Sequence, residues 1–202
     1  MARWTLIALV MLVPALAAAD GEPPYPVGRS TQRIEGLKVV LIVPETMPAH
    51  GARSLVVALH PAAGPASNMA DLFDAWPAEG YVVCAPEARD MTWEVGDLES
   101  VKRLIPHLIE RLAIDPRRVH LVGYSDGGTN LDRVAFADEV KPCSATWVAA
   151  TYNGNRVPRW AKPDLGVLAL LGSRDEELER LRGGMARLDG KVASVEVRVA
   201  EG

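Results

Sequence analysis

Apolar positions along this chain follow two alternating patterns. The first is a short, unbroken apolar run, as in a strand buried on both faces. Residues 37–43, 54–59, 81–85, 119–122, 145–150 and 165–171 are of this kind, and most are closed by Pro, Gly or polar residues. Residues 192–199 instead alternate apolar and polar positions, as an outer strand does. The second pattern has a helical period. Val101, Leu104, Ile105, Leu108, Ile109 and Leu112 mark one face of an amphipathic helix. Pro106 should kink that helix, and Asp115-Pro116 should end it. Met69, Leu72, Phe73 and Trp76 recur at helical spacing behind Ser67, a candidate N-cap. Further helices are predicted over about 128–140 and 176–188. Strands alternating with helices predict an α/β fold around a mostly parallel sheet.

The N-terminus departs from this pattern. Arg3 precedes the apolar run Leu6 to Val13, then Pro14, then Ala15-Leu16-Ala17-Ala18-Ala19 before Asp20. A positive start, a short apolar stretch and a small-residue end make a signal peptide of residues 1–19. The run is too short to span a bilayer comfortably. The expectation is export to the periplasm or the extracellular space. Residues 20–36, with Pro23, Pro24 and Pro26, read as a spacer, and residues 37–202 as one domain.

Composition narrows the partners. The formal charge is −4, with no cluster of Lys and Arg, which argues against nucleic acid and, once the leader is removed, against a membrane surface. Cys84 and Cys143 lie in or beside apolar runs and read as buried thiols. His and Cys are scattered without ligand spacing, and neither a phosphate loop nor a dinucleotide fingerprint is present. No metal and no cofactor are expected.

Chemistry concentrates in "HLVGYSDGGTN", residues 120–130. Gly123-Tyr124-Ser125-Asp126-Gly127 fits G-x-S-x-G, and it follows an apolar strand and opens a helical segment. That context marks a sharp strand-to-helix turn that lifts a serine hydroxyl above the sheet edge. A serine becomes a nucleophile only with a base to take its proton, an acid to hold the base and donors for the oxyanion.

Three stretches, "LVVALHPAAG" (55–64), "DPRRVHLVGYSDGG" (115–128) and "VLALLGSRDEE" (167–177), resemble the α/β-hydrolase superfamily. The match is to its small esterase branch, the phospholipase/carboxylesterase, dienelactone hydrolase and polyhydroxybutyrate depolymerase-like proteins, and it covers most of the chain after about Leu37. The resemblance implies hydrolysis of small-molecule carboxylic esters through an acyl-enzyme on Ser125. The oxyanion donors implied are the backbone N–H groups of Ala62, with Ala63 as the alternative, and of Asp126. Pro61 has no N–H to offer. The Asp126 carboxylate reads as a helix cap or a solvated group. Gly172-Ser173-Arg174-Asp175 matches the stretch that carries the acid, so Asp175 is the candidate; a helix cap is the competing role, and Glu176 the substitute. Trp93, Tyr152 and Asn153 follow predicted strand ends and are candidates to line the substrate cleft, which no long lid covers. The implied strand order puts two strands between those of Cys84 and Cys143, roughly 14 Å, too far for a disulfide.

The base departs from the family pattern. The superfamily's histidine follows the acid, in the loop after the eighth strand. His50, His60, His107 and His120 all precede Asp175. His60 is expected to brace the oxyanion loop, and none of the four is well placed to serve Ser125. The expectation is therefore a fragment lacking the loop that carries the histidine, with little turnover of its own. The alternative for that gap is a natural protein without the histidine, an inactive binding protein on the same fold. A peptidase of the prolyl-oligopeptidase type is a further alternative, although it would need another domain.

Overall fold

The computed structural model describes residues 24–49, 52–152 and 154–201. Eight strands form one sheet: β1 (Gly28–Ile34), β2 (Leu37–Val43), β3 (Ser54–Leu59), β4 (Tyr81–Glu87), β5 (Val119–Tyr124), β6 (Ser144–Val148), β7 (Lys162–Gly172) and β8 (Val192–Ala200). Their order across the sheet is β1-β2-β4-β3-β5-β6-β7-β8. The strands from β4 to β8 run parallel. β2 is antiparallel to both β1 and β4. The expected α/β architecture is therefore present. One boundary is corrected: residues 28–34, read as spacer, form β1. They are polar on the outward face, so they lack the apolar run that marks a buried strand, and their pairing with β2 is what makes them a strand. The predicted leader, residues 1–19, lies outside the described residues.

Helices cover both faces. α2 (Val95–Leu112) packs Leu98, Val101, Leu104, Ile105 and Leu108 on one face of the sheet. α5 (Leu178–Ala186) adds Leu181 and Met185 to the same core. α1 (Ala66–Asp71) packs Met69 and Ala70 on the other face, against Val40, Ile42, Val56 and Val83. No helix among the described residues is long and apolar enough to cross a membrane.

Three helix expectations change. α2 runs unbroken through Pro106, whose side chain is exposed, and it ends at Leu112 rather than at Asp115. The N-cap of α1 is Pro65, not Ser67; the helix stops at Asp71, leaving Leu72 67% exposed, and Trp76 starts a separate 3-10 turn, Trp76–Glu79. The helix expected over 128–140 is two short pieces, α3 (Asp126–Thr129) and α4 (Asp132–Ala135). Two glycines in α3 weaken it, and the Asn130 side chain bonds the Asp126 carbonyl, competing with the helical ladder.

Parallel pairing puts the C-terminal ends of β3, β5, β6 and β7 at one edge of the sheet. Leu59 is in register with Gly123, Tyr124 with Val148, and Val148 with Leu170. Loops leaving that edge converge on Ser125.

Candidate active site

Ser125 sits between β5 and α3 with φ 51° and ψ −114°, in the positive-φ half of backbone space that residues with a side chain avoid. Its N–H donates to the Val148 carbonyl at 2.9 Å, and its own carbonyl accepts from Thr129 at 2.8 Å. The turn is so tight that its flanking glycines leave no room for side chains. A Cβ at Gly123 would fall 2.5 Å from the Gly127 carbonyl oxygen. One at Gly127 would meet the Leu59 carbonyl, and one at Gly128 the Ala150 methyl. Thus close backbone approach accounts for the glycines of the motif.

Asp175 follows β7 and is exposed. Its Oδ1 accepts the Glu177 N–H at 2.9 Å, a local turn that leads into α5. That is close to the capping role weighed against the acid role, although the helix itself starts at Leu178. Ser125 and Asp175 nonetheless open onto the same pocket, of about 160 Å³, walled by Ala149, Ala150, Thr151 and Leu171. Glu177, rather than Glu176, is the second carboxylate on that pocket.

The loop after β3 is a tight turn in which the Gly64 N–H donates to the Pro61 carbonyl at 3.0 Å and Ala63 takes φ 55°. The Ala63 N–H is committed to the Met91 carbonyl at 2.7 Å, which removes it as an oxyanion donor. Of the two residues weighed in this loop, Ala62 is the one whose N–H is not committed to Met91. Asp126 is the first residue of α3, where an N–H has no intrahelical acceptor.

Three candidate roles are revised. The Asp126 carboxylate neither caps its helix nor stands in solvent. Its Oδ2 accepts the Trp93 backbone N–H at 2.9 Å, and its Oδ1 accepts from Asn130 at 3.2 Å. Trp93, a candidate for the substrate cleft, is 4% exposed. Its indole N–H donates to the His60 carbonyl at 2.9 Å, and its ring lies 4.8 Å from the His60 ring. It is buried, and it ties the loop after β3 to the turn at Ser125. Tyr152, the other candidate, is 2% exposed, donates its hydroxyl to the Arg156 carbonyl at 2.6 Å and packs on Phe136 and Trp147. Thr151, one residue earlier, lines the pocket in its place. Asn153 lies outside the described residues.

Each described histidine is occupied elsewhere. His60 is buried, and its Nε2 accepts the Ala88 N–H at 2.9 Å, so the proton is on Nδ1, which donates to the Pro61 carbonyl at 2.7 Å. With both ring nitrogens engaged, it braces the loop after β3 and has no lone pair for a serine proton. His107 is on α2, 2.8 Å from the Tyr25 hydroxyl. His120 is the second residue of β5, with Nδ1 2.8 Å from the Ser144 hydroxyl. Five residue steps along the strand separate it from Ser125, about 16 Å. Burial holds the His120 imidazole below its ordinary pKa, with Arg118 adding to the effect. His50 lies outside the described residues.

No family model and no curated protein sequence matches this chain. Solved structures do match. TT1662 from Thermus thermophilus superimposes with a TM-score of 0.68 at 18% identity, over 88% of this chain and 90% of that one. Est2, a thermophilic esterase from the planctomycete Thermogutta terrifontis, superimposes in its butyrate-bound form with a TM-score of 0.68 at 15% identity, over 87% of this chain and 84% of that one. The same esterase phosphorylated by paraoxon gives a TM-score of 0.67 at 15% identity, over 92% and 85%. At these identities the likeness is one of fold, and the chain has the α/β-hydrolase fold.

Proposed function

We propose that this chain is the body of an exported serine hydrolase that cleaves small carboxylic esters. The observation that carries the reading is one pocket shared by Ser125, strained at a strand-to-helix turn, and the Asp175 carboxylate. In this reading the Ser125 hydroxyl attacks the ester carbonyl, and the Ala62 and Asp126 amides hold the oxyanion. The alcohol leaves, and water then releases the acid from the acyl-enzyme. The space between serine and acid, about 160 Å³, has room for an imidazole ring that Asp175 would orient. None of the described histidines supplies that ring, so the base is assigned to a group outside the described residues. The likeness to an esterase that holds butyrate and is phosphorylated by paraoxon supports the substrate class. Export rests on residues 1–19, and the processed protein is expected to begin at Asp20, as intact mass would show.

Free imidazole tests this reading. Hydrolysis of p-nitrophenyl butyrate by the chain alone is expected to be weak and to rise saturably with added imidazole. The gain should vanish in Ser125→Ala and fall at least about tenfold in Asp175→Asn. Paraoxon with imidazole should add its diethylphosphoryl group to the peptide that contains Ser125. A rate linear in imidazole and indifferent to Ser125→Ala would be solution catalysis and would end the proposal. It would leave an inactive binding protein, a second reading that the occupied histidines favour.

A further inference from the structure

We propose that two copies of this chain pair through β8 into one continuous sheet, with the two-fold axis at Val197. β8 ends the sheet and is bonded only to β7, so its outer row of backbone N–H and C=O groups has no partner strand among the described residues. Such a row is a template for another strand. At nine residues it is the longer edge; β1, with seven, carries Arg29 and Arg33, which an antiparallel register centred on Thr31 would set against each other.

The sequence of β8 selects a register. A two-fold pairing must set each residue opposite one on the same face, so the axis passes through a single residue. An axis at Glu196 or Arg198 puts like charges face to face. At Val197, Glu196 lies opposite Arg198 of the second copy, and Arg198 opposite its Glu196, giving two cross-strand ion pairs. These side chains already reach each other along one strand, with Arg198 Nε 2.6 Å from Glu196 Oε1. On the other face the same register stacks Val195 against Val199 of the second copy, and Val197 against its counterpart.

That face borders an open hollow of about 430 Å³, lined in part by Met185, Leu188, Val192, Val195 and Val197. Half-buried valines at an edge with no partner strand among the described residues are surface that a second strand and its valines would cover. β5 lies three strands in from β8, about 14 Å, so Ser125 stays open in the pair.

Sedimentation equilibrium of the purified chain, with Glu196→Arg, Val197→Pro and the double exchange Glu196→Arg/Arg198→Glu, tests this pairing. The chain is expected at twice its sequence mass. Glu196→Arg and Val197→Pro should sediment as monomers with unchanged far-ultraviolet circular dichroism. The double exchange should restore the dimer, a rescue that a merely structural role of either charge would not give. A monomeric chain would overturn the pairing, leaving Glu196 and Arg198 as charges that blunt the edge. So would a dimer indifferent to Glu196→Arg, or a folded double exchange that stays monomeric.

Discussion

Ser125 is held where an L residue costs about 1–3 kcal/mol, and the surrounding turn maintains it there. Ser125→Gly relieves that strain, whereas Ser125→Ala keeps it. The glycine variant is expected to be more stable than the alanine variant by about 1 kcal/mol, read as a higher urea midpoint at equal slope. Both should lose all imidazole-dependent hydrolysis. At this scale the sequence is informative where a residue has one tolerable reason to be present. Gly123, Gly127 and Gly128 are legible because a Cβ at each collides with backbone or a neighbouring methyl. Trp93 and Tyr152 are not, because an aromatic after a strand suits a cleft wall or a buried brace equally. The choice lies in the distant His60 carbonyl and the Phe136–Trp147 cluster. The carboxylate of Asp126 is similar: its partner, the Trp93 amide, is 33 residues away.

α2 shows what an element's ends add to its periodicity. The apolar face over Val101 to Leu112 is plain in the sequence, but the stop is not. Ala113 closes the helix at φ 50°, a left-handed cap more usual for glycine, with its N–H on the Glu110 and Ile109 carbonyls. Ala113→Gly removes the Cβ penalty and is expected to stabilise the fold by about 0.5–1 kcal/mol, visible as a raised thermal midpoint. At the other end, Asp97 is buried, accepts from Arg89 at 2.7 Å and receives the Glu94 N–H at 3.3 Å, which secures the loop that carries Trp93. Short elements carry a weaker signal. The sequence pattern predicts α3 and α4 as one helix, because the glycines of the Ser125 turn look like ordinary helix punctuation. β1 is not legible in the sequence because its alternation is of polar residues, and only β2 beside it defines it as a strand.

Across the whole molecule, burial sets the response to pH. Burial, with the Arg118 charge adding to it, depresses the His120 pKa below 6.5. Below pH 6.5 the unfolded chain binds a proton that the folded one refuses, so stability is lost as pH falls from 6.5 towards the depressed value. Asp132 works in the opposite sense: burial raises its pKa above 3.8, so its penalty develops as pH rises from there. His120→Gln should flatten the decline below pH 6.5, as urea midpoints measured across pH 4.5 to 8 would show. A decline unchanged in that variant would assign it to other groups. Both cysteines are free in the fold, with Cys84 buried in β4 and Cys143 just ahead of β6.

The sequence by itself determined the alternation of strands and helices, the strand that delivers Ser125 and the turn that exposes it. These follow from local rules: apolar period, backbone sterics and the space a glycine leaves. Tertiary structure alone decided which groups face the serine. It brought Asp175 to the same pocket across β6, gave Ala63 to Met91 and left Ala62, and spent His60 on the backbone of Pro61 and Ala88. Those outcomes depend on hydrogen bonds and sheet order between segments far apart in the chain, and no local pattern encodes the partner.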